Sequence, residues 1–134
     1  MEEKLGIINK TRDKAFGLSF SLLSKMKDGI LGEKYSLSIA YVSEKTSKEF
    51  NTLYRNKNKS TNVLSFSLDK KQGELIICPK VVKSEFKKFN RKLPNFLGFL
   101  IIHGMLHLKG LDHGDKMEKL EAFFEKKYLS HTKF

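Results

Sequence analysis

Residues 103–113 read HGMLHLKGLDH and contain three of the chain's four histidines, in the spacing H-x-x-x-H-x-x-G-x-x-H. His103 and His107 are four residues apart, so on a helix both imidazoles project from the same face, one turn from each other. Gly110 follows where a helix commonly ends, because glycine adopts the left-handed conformation at little cost. The turn would return His113 over the helix. The spacing therefore predicts a three-histidine metal site on a helix.

The donor set indicates what kind of metal site this is. Three neutral imidazoles with an open fourth position are typical of a catalytic zinc ion rather than of a closed structural one. Such an ion would lower the pKa of a bound water to about 7 and supply hydroxide at neutral pH. The alternative is a set of hydrogen-bonded core histidines, but each buried imidazole left unpaired would cost about 1–3 kcal/mol. We expect one divalent ion per chain, zinc, and no organic cofactor.

The position after the first histidine separates this motif from a peptidase motif. Metzincin zinc peptidases carry H-E-x-x-H-x-x-G-x-x-H, and Gly104 occupies the place of their glutamate. A missing general base typically costs about 10²–10⁴-fold in rate. Cleavage of a phosphodiester instead needs positive charge against a dianionic transition state, and water that is already hydroxide or easily becomes so. A zinc peptidase with an unconventional base is the less favoured alternative.

Length, charge and cysteine content limit the class of protein. The chain has 134 residues, enough for one domain with its own core, and we treat residues 1–134 as one hydrolase domain. Its net charge of +11 favours polyanionic partners such as nucleic acid. One cysteine excludes an internal disulfide and indicates a reducing compartment. No segment resembles a signal peptide or a membrane span. We predict a cytoplasmic protein with no membrane partner.

Hydrophobic periodicity predicts an α+β fold. The predicted strands are Leu5–Asn9, Ser36–Val42, Asn62–Leu68 and Glu74–Cys78. The predicted helices are Asp13–Lys27, Thr46–Arg55, Lys80–Phe89, one from Pro94 to about Leu108, and a last one that begins at a capping box of Asp115 and Glu118 and ends near Leu129. The fourth helix is apolar nearly all round and is therefore central and buried. We expect a small mixed β-sheet packed with about five helices, with a zincin-like metal site on the central helix.

Three blocks of the sequence resemble a single protein family. The run HGMLHLKGLDH is similar to the HGxLHLxGYDH signature of the YbeY family, residues 53–66 (LYRNKNKSTNVLSF) to its YRxKxxPTxVLSF stretch, and residues 73–78 (GELIIC) to its GDLIIC strand. The resemblance covers about residues 37–129. Leu111, Ser60 and Glu74 depart from the family's tyrosine, proline and aspartate, and none of these changes removes a ligand. The resemblance implies a metal-dependent, single-strand-specific endoribonuclease in ribosomal RNA processing and ribosome quality control, with the small ribosomal subunit as a partner.

The predicted catalytic residues are Arg55 and His107. Together with His103 and His113, His107 is a predicted metal ligand. Arg55 ends the helix before a polar loop, and a guanidinium binds phosphate through two parallel hydrogen bonds. Read without the family, Arg55 is an ordinary surface side chain; the resemblance matches it to the family's functional arginine. Asp112 is a candidate to orient an imidazole or to cap the turn.

Further basic residues predict where an RNA backbone would bind. They are Lys57 and Lys59 in the loop after Arg55, and Lys83, Lys87, Lys88 and Arg91 on or just after the third helix. Such contacts bind phosphates without reading sequence. A solvated helix face is the alternative for the second group. Glu74 is either a proton acceptor acting through water or an exposed strand end. The alternative for the whole protein is a non-catalytic, metal-stabilised factor that binds RNA or the ribosome.

Overall fold

The computed structural model of the chain describes residues 4–130. His131, expected to be solvated, lies outside this range. The strands are β1 (Leu5–Asn9), β2 (Ser36–Tyr41), β3 (Val63–Asp69) and β4 (Gln72–Ile77). The α-helices are α1 (Phe20–Ile30), α2 (Glu44–Arg55), α3 (Pro79–Glu85), α4 (Leu93–Leu108) and α5 (Asp115–Tyr128), with a 3₁₀ turn at Phe86–Phe89. A mixed four-stranded sheet and five α-helices within residues 4–130 confirm the predicted α+β class.

The sheet has the strand order β1-β2-β4-β3. Strands β1, β2 and β4 are parallel, whereas β3 pairs antiparallel with β4 and forms one edge. Side chains alternate between the two faces, because successive residues of a strand point in opposite directions. Ile39 and Leu75 are fully buried on the inner face, beside which β3 places Ser65. Phe66 and Glu74 lie on the outer face, where α2 packs through Phe50.

Helix α4 is the centre of the core. Nine of its sixteen residues are buried, including Phe96, Ile101, Ile102 and Leu106, and they contact the sheet, α1 and α5. A helix that is apolar on most of its circumference is stable only when other elements surround it. The prediction of a central, buried helix is therefore confirmed. The two predicted ligands on this helix, His103 and His107, are only half-buried.

Helix boundaries are where the predictions were wrong. Helix α1 begins at Phe20 and not at Asp13, because the Ser19 side chain accepts a hydrogen bond from the Leu22 amide and caps it. Gly17 has a φ of 130°, which no helix allows. The predicted capping box at the start of α5 is absent: Gly114 is the N-cap residue, and no side chain caps this end. The predicted helix Lys80–Phe89 divides into α3 and the 3₁₀ turn.

Candidate metal centre and RNA cleft

The three motif histidines converge at the C-terminal end of α4. The Nε2 atoms of His103 and His107 lie 3.1 Å apart. The turn after the helix has Gly110 at a φ of 96° and is closed by a hydrogen bond from the Leu111 amide to the Leu106 carbonyl, 3.1 Å. This turn places the His113 ring centroid 5.0 Å from that of His107. One ligand nitrogen from each histidine lies within 4.8 Å of the other two.

Hydrogen bonds at the opposite ring nitrogens determine which nitrogens face the centre of the site. His107 Nδ1 lies 3.0 Å from the Leu111 carbonyl oxygen, which only accepts, so Nδ1 carries the proton. His103 Nδ1 lies 2.9 Å from Oε2 of Glu121, a side chain that is only 8% exposed. With an ionised Glu121, this nitrogen also donates. Two Nε2 lone pairs then face each other across 3.1 Å, an arrangement that a cation between them would stabilise.

The distance between the His103 and His107 Nε2 atoms fits a tetrahedral ion. Two nitrogens bound to one zinc at about 2.0–2.1 Å lie about 3.3 Å apart in tetrahedral geometry, close to the observed 3.1 Å. Burial lowers the pKa of His107, and nearby His103, His113 and Arg55 lower it further, while the hydrogen bond to Leu111 opposes these effects. At neutral pH, His107 is therefore in the neutral form that a metal requires. The residues present fit a divalent metal ion.

Glu121 is the residue of this site that the sequence interpretation missed. It lies on α5, eighteen positions after His103, outside every motif that we recognised. A ligand histidine that donates its other N–H to a carboxylate has a fixed tautomer and a more basic ligand nitrogen. Asp112, considered for this role, lines the cleft but is exposed, and within residues 4–130 it has no side-chain hydrogen bond to either imidazole.

The histidines open into a cleft of about 560 Å³. Arg55 lines the cleft from the end of α2, Thr61 and Asn62 line it from the segment before β3, and Val63 and Ser65 line it from the edge strand β3 itself. The remaining walls are Phe99, Leu100, Asp112 and Glu121. Arg55 and the three predicted metal ligands therefore line one cavity. A cation and three imidazoles around one cleft are suited to an anionic substrate.

The packing around Gly104 disfavours a glutamate beside the first histidine. A Cβ atom at this position would lie 2.7 Å from Cδ2 of Leu75 and 3.2 Å from Oγ of Ser65. The Ser65 hydroxyl also donates to the Gly104 carbonyl, 3.2 Å. Position 104 therefore faces the sheet at close contact, and any side chain there would force the buried Leu75 side chain to move. Glu74, the other candidate proton acceptor, lies on the outer face of the sheet, away from the cleft.

The predicted RNA-binding lysines lie on separate parts of the surface. Lys57 and Lys59 are exposed in the loop between Arg55 and the cleft residue Thr61. Lys83 forms an ion pair with Asp13 beside a different depression of the surface. Lys87 and Lys88 are exposed on the 3₁₀ turn.

Arg91 is occupied by contacts within the protein. Its guanidinium bonds to Glu125 and to Asn95, and its Cζ lies 4.4 Å from the centroid of the Phe99 ring. Of the predicted RNA-binding residues, Arg55 lines the cleft, and Lys57 and Lys59 lie in the loop that joins it to Thr61. Arg91 lies behind the cleft wall, against Phe99, and Lys83, Lys87 and Lys88 do not line the cleft.

Comparison with known proteins identifies the family. The family model described as endoribonuclease YbeY matches residues 9–133. The chain belongs to the endoribonuclease YbeY family. An endoribonuclease YbeY of Buchnera aphidicola is 43% identical over 90 residues, 62% of this chain and 57% of that protein. One of Staphylococcus carnosus is 32% identical over 115 residues, 77% of this chain and 75% of that protein. The resemblance drawn from the three sequence blocks is confirmed.

A solved structure supports the fold. The solution structure of TM1509 from Thermotoga maritima is similar to this chain with a TM-score of 0.61 and 25% identity, covering 92% of this chain and 88% of that one. In residues 4–130, no helix is both long and apolar enough to cross a membrane. Family membership gives endoribonuclease as the enzyme class, and the three histidines are a set that could hold a metal ion.

Proposed function

We propose that this chain is a zinc-dependent, single-strand-specific endoribonuclease that acts on ribosomal RNA during its processing and in ribosome quality control, in the cytoplasm and in contact with the small ribosomal subunit. The observation that supports this most directly is the arrangement of His103, His107 and His113 within 4.8 Å of one another in the cleft lined by Arg55. The family's printed description, endoribonuclease, agrees with the chemistry of that arrangement.

Each group in the cleft has a role in phosphodiester cleavage. A zinc ion, when bound, supplies positive charge at the phosphate and lowers the pKa of a coordinated water. His103, His107 and His113 would hold the ion through uncharged imidazole nitrogens, which would leave its positive charge uncompensated by ligands. Arg55 binds a non-bridging phosphate oxygen pair through its two parallel N–H groups and offsets the charge that develops in the transition state.

Gly104 weighs against the peptidase alternative. The peptidase route needs a carboxylate next to the first histidine, and position 104 holds a glycine that packs against Leu75 and Ser65 of the sheet. The carboxylates that line the cleft are Asp112 and Glu121, and Glu121 is hydrogen-bonded to His103. An RNA substrate also agrees with the net charge of +11.

The test is cleavage of an end-labelled single-stranded RNA by four purified proteins in parallel. We expect the wild type and Arg12→Ala to cleave equally, and His107→Ala and Arg55→Ala to lose about 10²-fold or more in rate. Arg12 is the matched control, because it is an exposed arginine that lines a different depression. Equal cleavage by all four proteins would indicate a contaminating ribonuclease and remove support for this site. Binding of RNA without cleavage would favour the non-catalytic alternative.

A further inference from the structure

An aromatic cluster lies at the C-terminal end of α2, next to the cleft. Tyr54 stacks on Phe50 with ring centroids 5.9 Å apart and meets the edge of Phe66 at 5.0 Å. Phe50 and Phe66 are half-buried against the outer face of the sheet, but Tyr54 is 60% exposed. Large aromatic side chains ordinarily contribute to stability by being buried, so a ring held in place by two others and left open to solvent is suited to bind a partner.

The loop that follows Tyr54 is basic and is held in a fixed shape. The buried Asn51 side chain donates to the Lys59 carbonyl, 2.9 Å, and the buried Ser47 hydroxyl both donates to and accepts from the backbone of Thr61, 3.0 Å each. The backbone amide of Lys57 donates to the Asn51 carbonyl, 3.2 Å. These hydrogen bonds order the loop backbone before any partner binds, which lowers the entropy cost of binding. The side chains of Lys57 and Lys59 remain exposed on the loop.

The charges around the cluster favour a polyanion as the partner. Residues 45–59 carry five basic side chains (Lys45, Lys48, Arg55, Lys57 and Lys59) and one acidic side chain, Glu49. A protein partner would match an apolar patch with few charges at its centre. A single-stranded nucleic acid matches both features at once, because its phosphates bind lysine and arginine while its bases stack on aromatic rings.

The order of residues along α2 connects the cluster to the cleft. Arg55 lines the cleft, and Tyr54 precedes it on the same helical turn, about 100° away around the helix axis. Ser65 faces the cleft, whereas the next residue of the edge strand, Phe66, contacts Tyr54 on the outer face. A strand of RNA that leaves the cleft past Arg55 therefore crosses the edge of the sheet and reaches the Tyr54 ring.

We propose that Tyr54 is a base-stacking platform for single-stranded RNA, on which a nucleotide outside the cleft binds while Arg55 holds the phosphate within it, and that Lys57 and Lys59 bind the backbone between them. This inference rests on the proposed function and adds a binding site for the substrate beyond the metal centre. It accounts for the exposed ring without giving Tyr54 any part in the chemical step.

The test measures binding of a fluorescent single-stranded RNA decamer by anisotropy, with a chelator present to prevent cleavage. We expect Tyr54→Ala and Tyr54→Leu to weaken binding by roughly 5-fold to 100-fold, the range for one stacked base. Tyr54→Phe keeps the ring and binds within about twofold of the wild type. Phe20→Ala is the matched control, because Phe20 is 52% exposed at the start of α1 and does not line the cleft. The wild type is expected to bind a decamer without bases more weakly than the RNA decamer, and replacing Tyr54 does not change the affinity for the decamer without bases.

The salt dependence distinguishes stacking from a change in charge. Loss of the ring leaves the slope of log K against log salt unchanged, whereas Lys57→Ala reduces it by about 0.7. Wild-type affinity in Tyr54→Leu would overturn the proposal, since Leu retains apolar packing against Phe50 and removes only the aromatic face. Affinity lost in Tyr54→Ala alone would show a packing role and overturn it as well. If the Tyr54→Leu protein binds normally and the wild type still cleaves RNA, this inference fails and the proposed function stands.

Discussion

Glu121→Gln is expected to weaken metal binding without weakening the fold. In the wild type, the buried carboxylate lies 2.9 Å from Nδ1 of His103 and makes a charge-assisted hydrogen bond. Glutamine keeps an oxygen that accepts this bond and loses only the charge, so we expect about a tenfold loss of zinc affinity, about 1.4 kcal/mol. Glu121→Ala loses the bond too, and we expect about a hundredfold loss, about 2.7 kcal/mol.

Measuring zinc affinity and the free energy of unfolding on the same samples separates the effect of Glu121 on metal binding from its effect on the fold. Zinc affinity is obtained by competition with a chromophoric chelator, and the free energy of unfolding of the metal-free protein by urea titration. Glutamine keeps the acceptor oxygen for His103 Nδ1 and exchanges a charged hydrogen bond for a neutral one, so Glu121→Gln is expected to leave the unfolding free energy of the metal-free protein within about 1 kcal/mol of the wild type. Glu118→Gln is the control, because Glu118 is exposed one turn earlier on α5. Wild-type zinc affinity in Glu121→Gln would refute the positioning role.

Three further predictions concern cleavage and stability. Arg55→Lys keeps the charge but not the paired hydrogen bonds, so its kcat/KM for RNA cleavage is expected to lie between those of the wild type and Arg55→Ala; equal values for Arg55→Lys and the wild type would exclude bidentate binding. Gly104→Glu introduces a carboxylate against Leu75 and is expected to lower the free energy of unfolding by at least about 3 kcal/mol, without creating peptidase activity. Wild-type stability of this variant in a denaturant titration would contradict the close contact. Lys27 is 1% exposed, and its ammonium donates to three carbonyls and pairs with Asp28. Lys27→Met removes these contacts and costs about 2–4 kcal/mol in the same titration, with unchanged zinc affinity.

The features that local sequence patterns could predict are those set by short-range geometry. His103 and His107 share a helix face because they are one turn apart, and Gly110 ends that helix because its φ is positive. The four strands and the buried α4 also follow from periodicity. The start of α1 was wrong because Phe16 and Leu18 resemble a helical stripe, yet they pack onto the core from an irregular segment. Apolar spacing alone does not distinguish these two cases.

The features that the sequence did not reveal depend on contacts between distant elements. The bond of Glu121 to His103 exists only because α5 folds back across α4, and no spacing rule links the two positions. The reason for Gly104 was likewise hidden. The sequence showed only that the glutamate is absent. The structure gives a reason, because position 104 packs closely against Leu75 on β4. Burial of Lys27 follows from a turn whose carbonyls surround the ammonium.

The most direct test of the metal-dependent mechanism is removal of the metal followed by its stoichiometric return. Wild-type protein and His107→Ala are treated with a chelator, dialysed, and assayed on labelled single-stranded RNA while zinc is added in steps. We predict that wild-type cleavage is abolished by chelation and restored fully at about one zinc ion per chain, and that His107→Ala does not recover at any step. Cleavage that persists in the chelated wild type, or that returns equally in His107→Ala, would contradict a catalytic metal held by His103, His107 and His113.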